Sequence, residues 1–298
     1  MSAIQWYPGH MTKAVRNIQN EIKKVDLVIE IRDARIPGAS SNPDIDRLTA
    51  GKNRVIVLNK ADLADPVMTE GWAAELRKKG RETVILDSRN RSGINTLLHS
   101  VRLLSEEKRR KDREKGITGE RPVRAMVCGI PNVGKSTLIN TLTGRASMKT
   151  GNKPGVTKGD QWVSTDSALL LLDTPGILWP KFSDRETGYL LASIGSINDN
   201  ILDPQEIAVY IIRKLNELYP GILAERYDLT DHEKENVLNS YERNIPGVDY
   251  DSLAVLDLIA EKRKCLRKGG LPDREKAAKI IIDDLRSGKI GQVTLEKP

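Results

Sequence analysis

Glycine, lysine and serine recur at the spacing of a phosphate-binding loop in residues 129–136, which read GIPNVGKS. In the pattern GxxxxGK[ST], glycines let successive backbone N–H groups converge on phosphate oxygens at the start of a helix. Lys135 is expected to reach the β- and γ-phosphates, and the Ser136 hydroxyl is expected to bind Mg²⁺. A simple glycine turn is the alternative. A β-rich run before the motif and a helical pattern after it favour phosphate binding.

A second motif, DTPG, begins at Asp173, directly after an apolar run. We expect the Asp173 carboxylate to help bind Mg²⁺ and the Gly176 N–H to contact the γ-phosphate. The same four residues also make a good turn, which is the alternative interpretation.

A third motif, NKAD, comprises Asn59, Lys60, Ala61 and Asp62 and follows a β-rich strand. The Asp62 carboxylate can accept hydrogen bonds from the ring N–H and exocyclic amine of guanine. Adenine would leave that buried carboxylate without donors, which is costly. The motif therefore predicts guanine selectivity, with helix capping by Asp62 as the alternative.

Two further loops are expected to complete a GTP/GDP site. Ser88 is a weaker candidate for a second base contact, or for a plain turn. Thr157, in the sequence KPGVT, is predicted to close over Mg²⁺ and the γ-phosphate, with Thr150 as the competing candidate. The predicted nucleotide contacts are Asn59, Lys60, Asp62, Ser88, Asn132, Val133, Gly134, Lys135, Ser136, Thr137, Thr157 and Gly176. The predicted Mg²⁺ ligands are Ser136, Thr157 and Asp173.

The residue that orients the attacking water in many GTPases is missing. A glutamine often follows DxxG, but here that position holds Ile177, which cannot polarise water. His10 is the best replacement among the three histidines, because a histidine can accept a hydrogen bond from water at neutral pH. A structural or RNA-contacting histidine is the alternative.

The order of these motifs predicts the fold. NKAD precedes the phosphate loop, whereas an ordinary small GTPase has it last, so the domain is expected to be circularly permuted. β-rich runs alternate with helical patterns up to about residue 180, which predicts a mostly parallel sheet with helices on both faces. The rest is helical in pattern. We therefore predict an α/β GTP-binding domain over residues 1–180 and an all-α domain over 181–298.

Composition narrows the partners and the compartment. The 298 residues are 39% hydrophobic and 30% charged, with a net charge of +7. That excess favours a polyanion, either RNA or an anionic membrane surface. Cys128 and Cys265 have no metal-like spacing, which suggests a reducing compartment. No apolar run approaches the roughly 20 residues of a membrane span. A cytoplasmic protein is expected.

The chain resembles the bacterial ribosome-biogenesis GTPase A family over essentially its whole length. The resemblance rests on WYPGHM, DARIP, NKAD, GIPNVGKST, KPGVT, DTPGI and, near residue 270, GGLPDREKAA. It implies a GTPase stimulated by the ribosomal particle, and a hydrophobic residue in place of the catalytic glutamine, as at Ile177. It also implies a catalytic role for His10, and K⁺ bound at Asn132, for which a neutral loop role is the alternative.

The same resemblance implies the partners: the large ribosomal subunit precursor, its rRNA and ribosomal proteins. We expect a monomer that does not bind a membrane. GTP hydrolysis is expected to trigger release. A basic stretch in the helical domain is the expected rRNA contact, or simply a solvated face. It comprises Lys262, Arg263, Lys264, Arg267 and Lys268, followed by Arg274, Lys276, Lys279, Arg286 and Lys289. A signalling switch with a protein partner, or a nucleotide-binding module with negligible hydrolysis, are the other functions considered.

Overall fold

A computed structural model describes residues 9–114, 116, 121–144, 161–165, 168–179, 182, 184–242 and 245–298, without the side chains of 9–11, 13, 14, 107 and 108. The chain forms two compact units. The first contains Met1–Thr187 with Glu296–Pro298, and the second contains Gly188–Leu295. The predicted boundary between residues 180 and 181 lies outside the described residues.

A six-stranded sheet forms the centre of the first unit, with the strand order β3-β2-β1-β4-β6-β5. All neighbouring strands are parallel except β5, which runs antiparallel to β6 at one edge. The strands are β1 (Leu27–Asp33), β2 (Asn53–Asn59), β3 (Glu82–Ile85), β4 (Val123–Gly129), β5 (Gln161–Ser164) and β6 (Leu169–Asp173). The predicted mostly parallel sheet is confirmed.

The strand register assigns side chains to the two faces of the sheet. Val28 of β1 is opposite Met126 of β4, so these two side chains share a face. On that face they join a buried apolar cluster with Ile18 of α1 and Ile45 of α2. A second apolar cluster packs Ile56 and Leu58 of β2 against α3. The helices α4 and α5 contact strands of the same sheet. The helices of the first unit are α1 (Gly9–Glu21), α2 (Pro43–Leu48), α3 (Pro66–Lys78), α4 (Ile94–Glu114) and α5 (Lys135–Thr143).

Local sequence sets the helix starts in this unit. Asn42 and Asp65 each accept hydrogen bonds from backbone N–H groups of the following turn, and each is followed by a proline. A side-chain oxygen at the cap and proline at the first helical position are both favourable, since the first N–H groups lack partners within the helix. These caps fix the residues at which α2 and α3 begin.

Helices make up the second unit, as predicted. Its most extensive helix packing is between α7 and α11, with α10 packed against both. Thr230 and Glu233 form a capping box at the start of α9. The helices are α6 (Arg185–Ser193), which begins just before the unit boundary, α7 (Pro204–Leu218), α8 (Ile222–Tyr227), α9 (Asp231–Ser240), α10 (Tyr250–Lys262) and α11 (Arg274–Ser287). Among the described residues, no helix is both long and apolar enough to span a membrane.

Candidate nucleotide-binding site

The predicted motifs meet at one edge of the sheet. The strands β1, β2, β4 and β6 end at Asp33, Asn59, Gly129 and Asp173, respectively. Because these strands are parallel, their carboxyl ends share an edge, which is where open α/β sheets bind ligands. The sheet therefore brings together NKAD, the phosphate loop and DTPG, although they are far apart in sequence.

The phosphate loop has a backbone that only glycine permits at two positions. Gly134 has φ +99°, and a Cβ there would lie 2.3 Å from Asn59 Nδ2. Gly129 has φ +151°, and a Cβ there would lie 2.4 Å from the carbonyl oxygen of Ile31. Asn132 also has a left-handed backbone, with φ +62°. The loop is thus packed tightly against the ends of β1 and β2 before it enters α5.

Lys135 is the first residue of α5, so Ser136 and Thr137 follow in the same helical turn. Its Nζ donates to the carbonyl oxygens of Ile130 at 2.7 Å and of Gly129 at 3.2 Å. Burial lowers the pKa of Lys135 to about 8, against the opposing effect of the Asp173 carboxylate. A phosphate at this helix N-terminus would give the buried ammonium group an anionic partner.

The DTPG segment packs directly on the phosphate loop. A Cβ on Gly176 would lie 2.9 Å from both Lys135 Nζ and the backbone nitrogen of Pro131. Thr174 is fully buried and donates through Oγ1 to the Val127 carbonyl at 2.8 Å. Any movement of this segment must therefore be accommodated by the predicted phosphate loop.

The residues at this edge suit a magnesium ion by their chemistry. Asp173 offers a carboxylate, fully buried at the end of β6, and Ser136 offers a half-buried hydroxyl in the first turn of α5. Mg²⁺ prefers oxygen ligands and is usually held by one or two protein groups together with substrate phosphates. Thr157, the third predicted ligand, lies outside the described residues.

Asn59 joins the predicted guanine-reading motif, NKAD, to the predicted phosphate loop. Its fully buried side chain donates from Nδ2 to the Val133 carbonyl at 2.7 Å. Its Oδ1 accepts from the Ser88 N–H at 3.1 Å. The Ser88 carbonyl in turn accepts from Thr141 Oγ1 of α5 at 2.6 Å. One amide thus fixes the relative positions of NKAD, the Ser88 loop and the phosphate loop.

Asp33 forms a buried ionic centre beside NKAD that none of the sequence motifs predicts. Its Oδ2 lies 2.8 Å from Arg35 Nη2 and 3.0 Å from Lys60 Nζ. Burial alone would raise the pKa of Asp33, but the Arg35 and Lys60 cations outweigh it and hold the pKa well below its usual range. Lys60 has a left-handed backbone, with φ 60°. Asp33 therefore holds the lysine of NKAD in place from the neighbouring strand.

Asp62 lies in a short turn after β2, with a carboxylate that is mostly buried. Arg89, from the loop that contains Ser88, donates through Nη2 to Asp62 Oδ2. The Arg89 backbone N–H donates to Asp87 Oδ1 at 2.9 Å. The two predicted base-contacting segments are thus connected by an ion pair as well as through Asn59.

Ile177, the residue in the glutamine position, points into the protein core. It is fully buried, and its carbonyl accepts from Asn42 Nδ2 at 2.9 Å. It belongs to the apolar cluster that also contains Ile18 of α1. His10 is in the first turn of that same helix, but its side chain lies outside the described residues. The catalytic role of His10 stays a prediction.

Comparisons with known proteins identify GTPases that are similar to this chain. A family model described as 50S ribosome-binding GTPase matches residues 124–245. Proteins named Ribosome biogenesis GTPase A are similar: that of Priestia megaterium is 42% identical and that of Bacillus licheniformis 44%, each covering 99% of this chain and 97% or 98% of the relative. The GDP-bound structure of Thermotoga maritima YlqF gives a TM-score of 0.62 at 27% identity, covering 94% of this chain and 98% of that one. The GNP-bound form gives 0.60 at 28% identity, covering 96% and 98%.

Proposed function

Because this chain belongs to the ribosome biogenesis GTPase A family, we propose that it is a GTP-hydrolysing assembly factor of the large ribosomal subunit. Membership makes it a GTPase with the predicted circularly permuted fold, acting on guanine nucleotide with Mg²⁺. We propose further that it binds the immature subunit, promotes its late maturation, and leaves when GTP is hydrolysed. The observation that carries this proposal is the similarity to named relatives over 99% of the chain.

In the proposed site, each motif keeps the role that its chemistry favours. The phosphate loop and Lys135 bind the β- and γ-phosphates, while Asp173, Ser136 and Thr157 hold Mg²⁺. Asp62 accepts from the guanine edge, and Asn59 supports both halves of the site. The packing of Gly176 against Lys135 and Pro131 supports its role as the γ-phosphate sensor.

The water-positioning group is proposed to be His10. Asn132 would hold K⁺, which when bound would supply positive charge beside the phosphates. Burial of Ile177 in the core supports a water-positioning group from elsewhere, since this side chain has no surface exposed to solvent. The helix of His10 is anchored through Ile18 in the cluster that contains Ile177. That shared anchor supports a role for α1 next to the DTPG segment.

The proposed rRNA contact is a basic turn, residues 263–268, between α10 and α11. Several basic residues of the second unit serve its own structure instead. Arg274 lies 2.6 Å from the buried Asp257 carboxylate, and Arg286 donates to the Ala192 carbonyl at 2.6 Å. Lys264 and Lys268 of the basic turn are exposed. They are suited to phosphate contacts, which dominate affinity for nucleic acid.

The proposed coupling follows from chain order. The segment after Gly176 leads into the second unit, which begins at Gly188. Rearrangement around the γ-phosphate would therefore act on the particle-binding unit through a direct covalent connection. We place this function in the cytoplasm and expect a monomer.

GTP turnover with and without purified large subunits, in KCl and in NaCl, tests the proposal on wild type and His10→Ala. We expect GTP turnover by the wild type to rise when subunits or K⁺ are added. We expect His10→Ala to abolish this turnover. Wild-type turnover in His10→Ala would refute the role of that residue. Stimulation by some other protein but not by subunits would indicate a signalling switch, and no turnover in any condition would indicate a binding module.

Binding of the particle is tested separately, with Lys264→Glu/Lys268→Glu. We expect weaker subunit binding and a salt dependence reduced by about one unit of log–log slope for each phosphate that the variant no longer binds. Basal GTP hydrolysis should be unchanged, because both lysines lie in the second unit. Lys276→Glu/Lys279→Glu is the control, since Lys276 pairs with Asp273, the cap of α11, and Lys279 pairs with Glu275 on α11. Equal binding by the two double variants would contradict the assignment to the basic turn.

A further inference from the structure

We propose that Arg89 occupies the guanine-reading carboxylate of Asp62 in the free protein and that the base must displace it. Arg89 is then a specificity- and affinity-determining residue that acts as an internal competitor for guanine. The inference rests on the proposed role of Asp62 as the guanine acceptor. It begins from the hydrogen bond between Arg89 Nη2 and Asp62 Oδ2.

The chemistry of the two donors explains why they compete. Guanine presents a ring N–H and an exocyclic amine side by side on one carbon, which is the connectivity of a guanidine. The arginine side chain presents parallel N–H groups of the same kind in a planar fork that matches a carboxylate. Both can therefore donate to the same Asp62 oxygen, Oδ2, which accepts from Arg89 Nη2 in this structure, and they cannot do so together.

The backbone around Arg89 keeps it beside Asp62. Its N–H donates to Asp87 Oδ1, and the preceding residue, Ser88, donates to the buried Asn59 side chain. Asp87 is itself buried and its N–H donates to the Ser92 carbonyl at 3.2 Å. The start of the Arg89 side chain is therefore anchored to the same framework that holds the guanine-reading motif.

The guanidinium end of the Arg89 side chain is able to move away from Asp62. The Arg89 side chain is 63% exposed, whereas that of Asp62 is 23% exposed. The guanidinium can consequently swing into water while the backbone hydrogen bonds to Asn59 and Asp87 stay in place. The loose pair between Arg89 Nε and Asp87 Oδ1, at 3.9 Å, is lost with it. Exchange of one donor for another at a fixed carboxylate is the structural basis of the competition.

The expected size of the effect is modest, because exposed ion pairs are weak. Loss of the Arg89–Asp62 pair should tighten GDP binding roughly two- to fivefold. The gain should appear mainly in the association rate, since the competing contact exists only in the free protein. Removal of a positive charge would also weaken the attraction of the site for an anionic nucleotide, which acts in the opposite direction, so a charge-matched control is needed.

The experiment compares GDP binding by wild type, Arg89→Ala and Arg91→Asn in a stopped-flow assay with a fluorescent GDP. Arg91 is in the same loop but donates to the Thr141 carbonyl at 3.2 Å. Its backbone has φ 67°, which asparagine tolerates. We expect tighter GDP binding for Arg89→Ala and no gain for Arg91→Asn. Unchanged or weaker binding by Arg89→Ala, relative to Arg91→Asn, would overturn the proposal.

A second background separates this inference from the role of Asp62. Asp62→Asn should lose GDP affinity and bind xanthosine diphosphate, whose carbonyl replaces the guanine amine. In that background the carboxylate is absent, so Arg89→Ala should give no gain for xanthosine diphosphate. The same gain would show that Arg89 acts by another route. If Asp62→Asn keeps wild-type GDP affinity, the proposed guanine role of Asp62 fails, and the competition fails with it.

Discussion

Replacement of Asn59 by alanine tests whether one buried amide holds the two halves of the site together. The side chain lies at the end of β2 and is fully buried. It donates to the Val133 carbonyl of the phosphate loop and accepts from the Ser88 N–H of the second base loop. Asn59→Ala removes both hydrogen bonds at once.

The expected cost follows from the two backbone groups that lose their partner. A buried polar group without a hydrogen bond costs about 1–3 kcal/mol. Two such groups would cost at least about 2 kcal/mol, a shift of roughly thirtyfold in the folding equilibrium. Because the hydrogen bond to Val133 also positions the phosphate loop, GDP affinity should fall by about five- to tenfold, the equivalent of one hydrogen bond.

Urea unfolding followed by tryptophan fluorescence measures the stability, since all four tryptophans belong to the first unit. The control is Asn53→Ala at the opposite end of the same strand, where Nδ2 donates to the Leu104 carbonyl at an exposed position. We expect a loss below about 1 kcal/mol there, because water can replace the bond. Equal losses for the two variants, or unchanged GDP affinity in Asn59→Ala, would refute the reasoning.

Three further outcomes are expected. Gly176→Ala places a Cβ 2.9 Å from Lys135 Nζ, so it should weaken binding of a GTP analogue more than binding of GDP, measured by titration; equal weakening would contradict a γ-phosphate contact. The pKa of Asp33 is lower in the folded state than in the unfolded chain, so its contribution is present above about pH 4 and is lost as the pH falls. Urea titrations should therefore show that Asp33→Asn lowers the free energy of unfolding by about 3 kcal/mol at pH 7. As the pH falls below about 4, the variant should lose less further stability than the wild type does. Ile177→Gln should not raise GTP turnover and should cost about 2–4 kcal/mol, since the amide enters an apolar cluster; faster hydrolysis would show that this side chain reaches the nucleotide.

Much of the fold can be predicted from sequence because its signals are local. Apolar runs mark the strands, and glycine, proline and capping residues mark the turns between them. The end of β1 is less clear: the apolar run predicts a strand to Ile31, whereas β1 continues to Asp33. Arg32 and Asp33 look like solvent-facing residues in a hydrophobicity pattern. Both are buried because each finds an opposite charge: Arg32 lies 2.7 Å from Glu30, and Asp33 pairs with Arg35.

The candidate site shows the same division. The motif spacing is sufficient to predict that Gly134 and Lys135 lie in a loop at the start of a helix, because the glycines mark the positions whose backbone other residues cannot adopt. The ion pair between Arg89 and Asp62 is not predictable, since it depends on how two loops meet at the end of the sheet. The available signal is an arginine directly after the loosely defined Ser88. The orientation of Ile177 likewise depends on α1 and α2, which lie far from it in sequence.

The pairing of β1 with β4 also has a consequence for how the chain folds. Leu27 pairs with Ala125, so the central contact of the sheet closes a loop of roughly a hundred residues. The strands β1, β2 and β3 are neighbours in both sequence and space, and contacts of this local kind form faster than distant ones. The base-reading half is thus able to assemble early, while the phosphate-binding half joins it last. Acquisition of GTP binding during refolding would then report this final long-range step, and in the permuted chain nucleotide binding would wait until the sheet is complete.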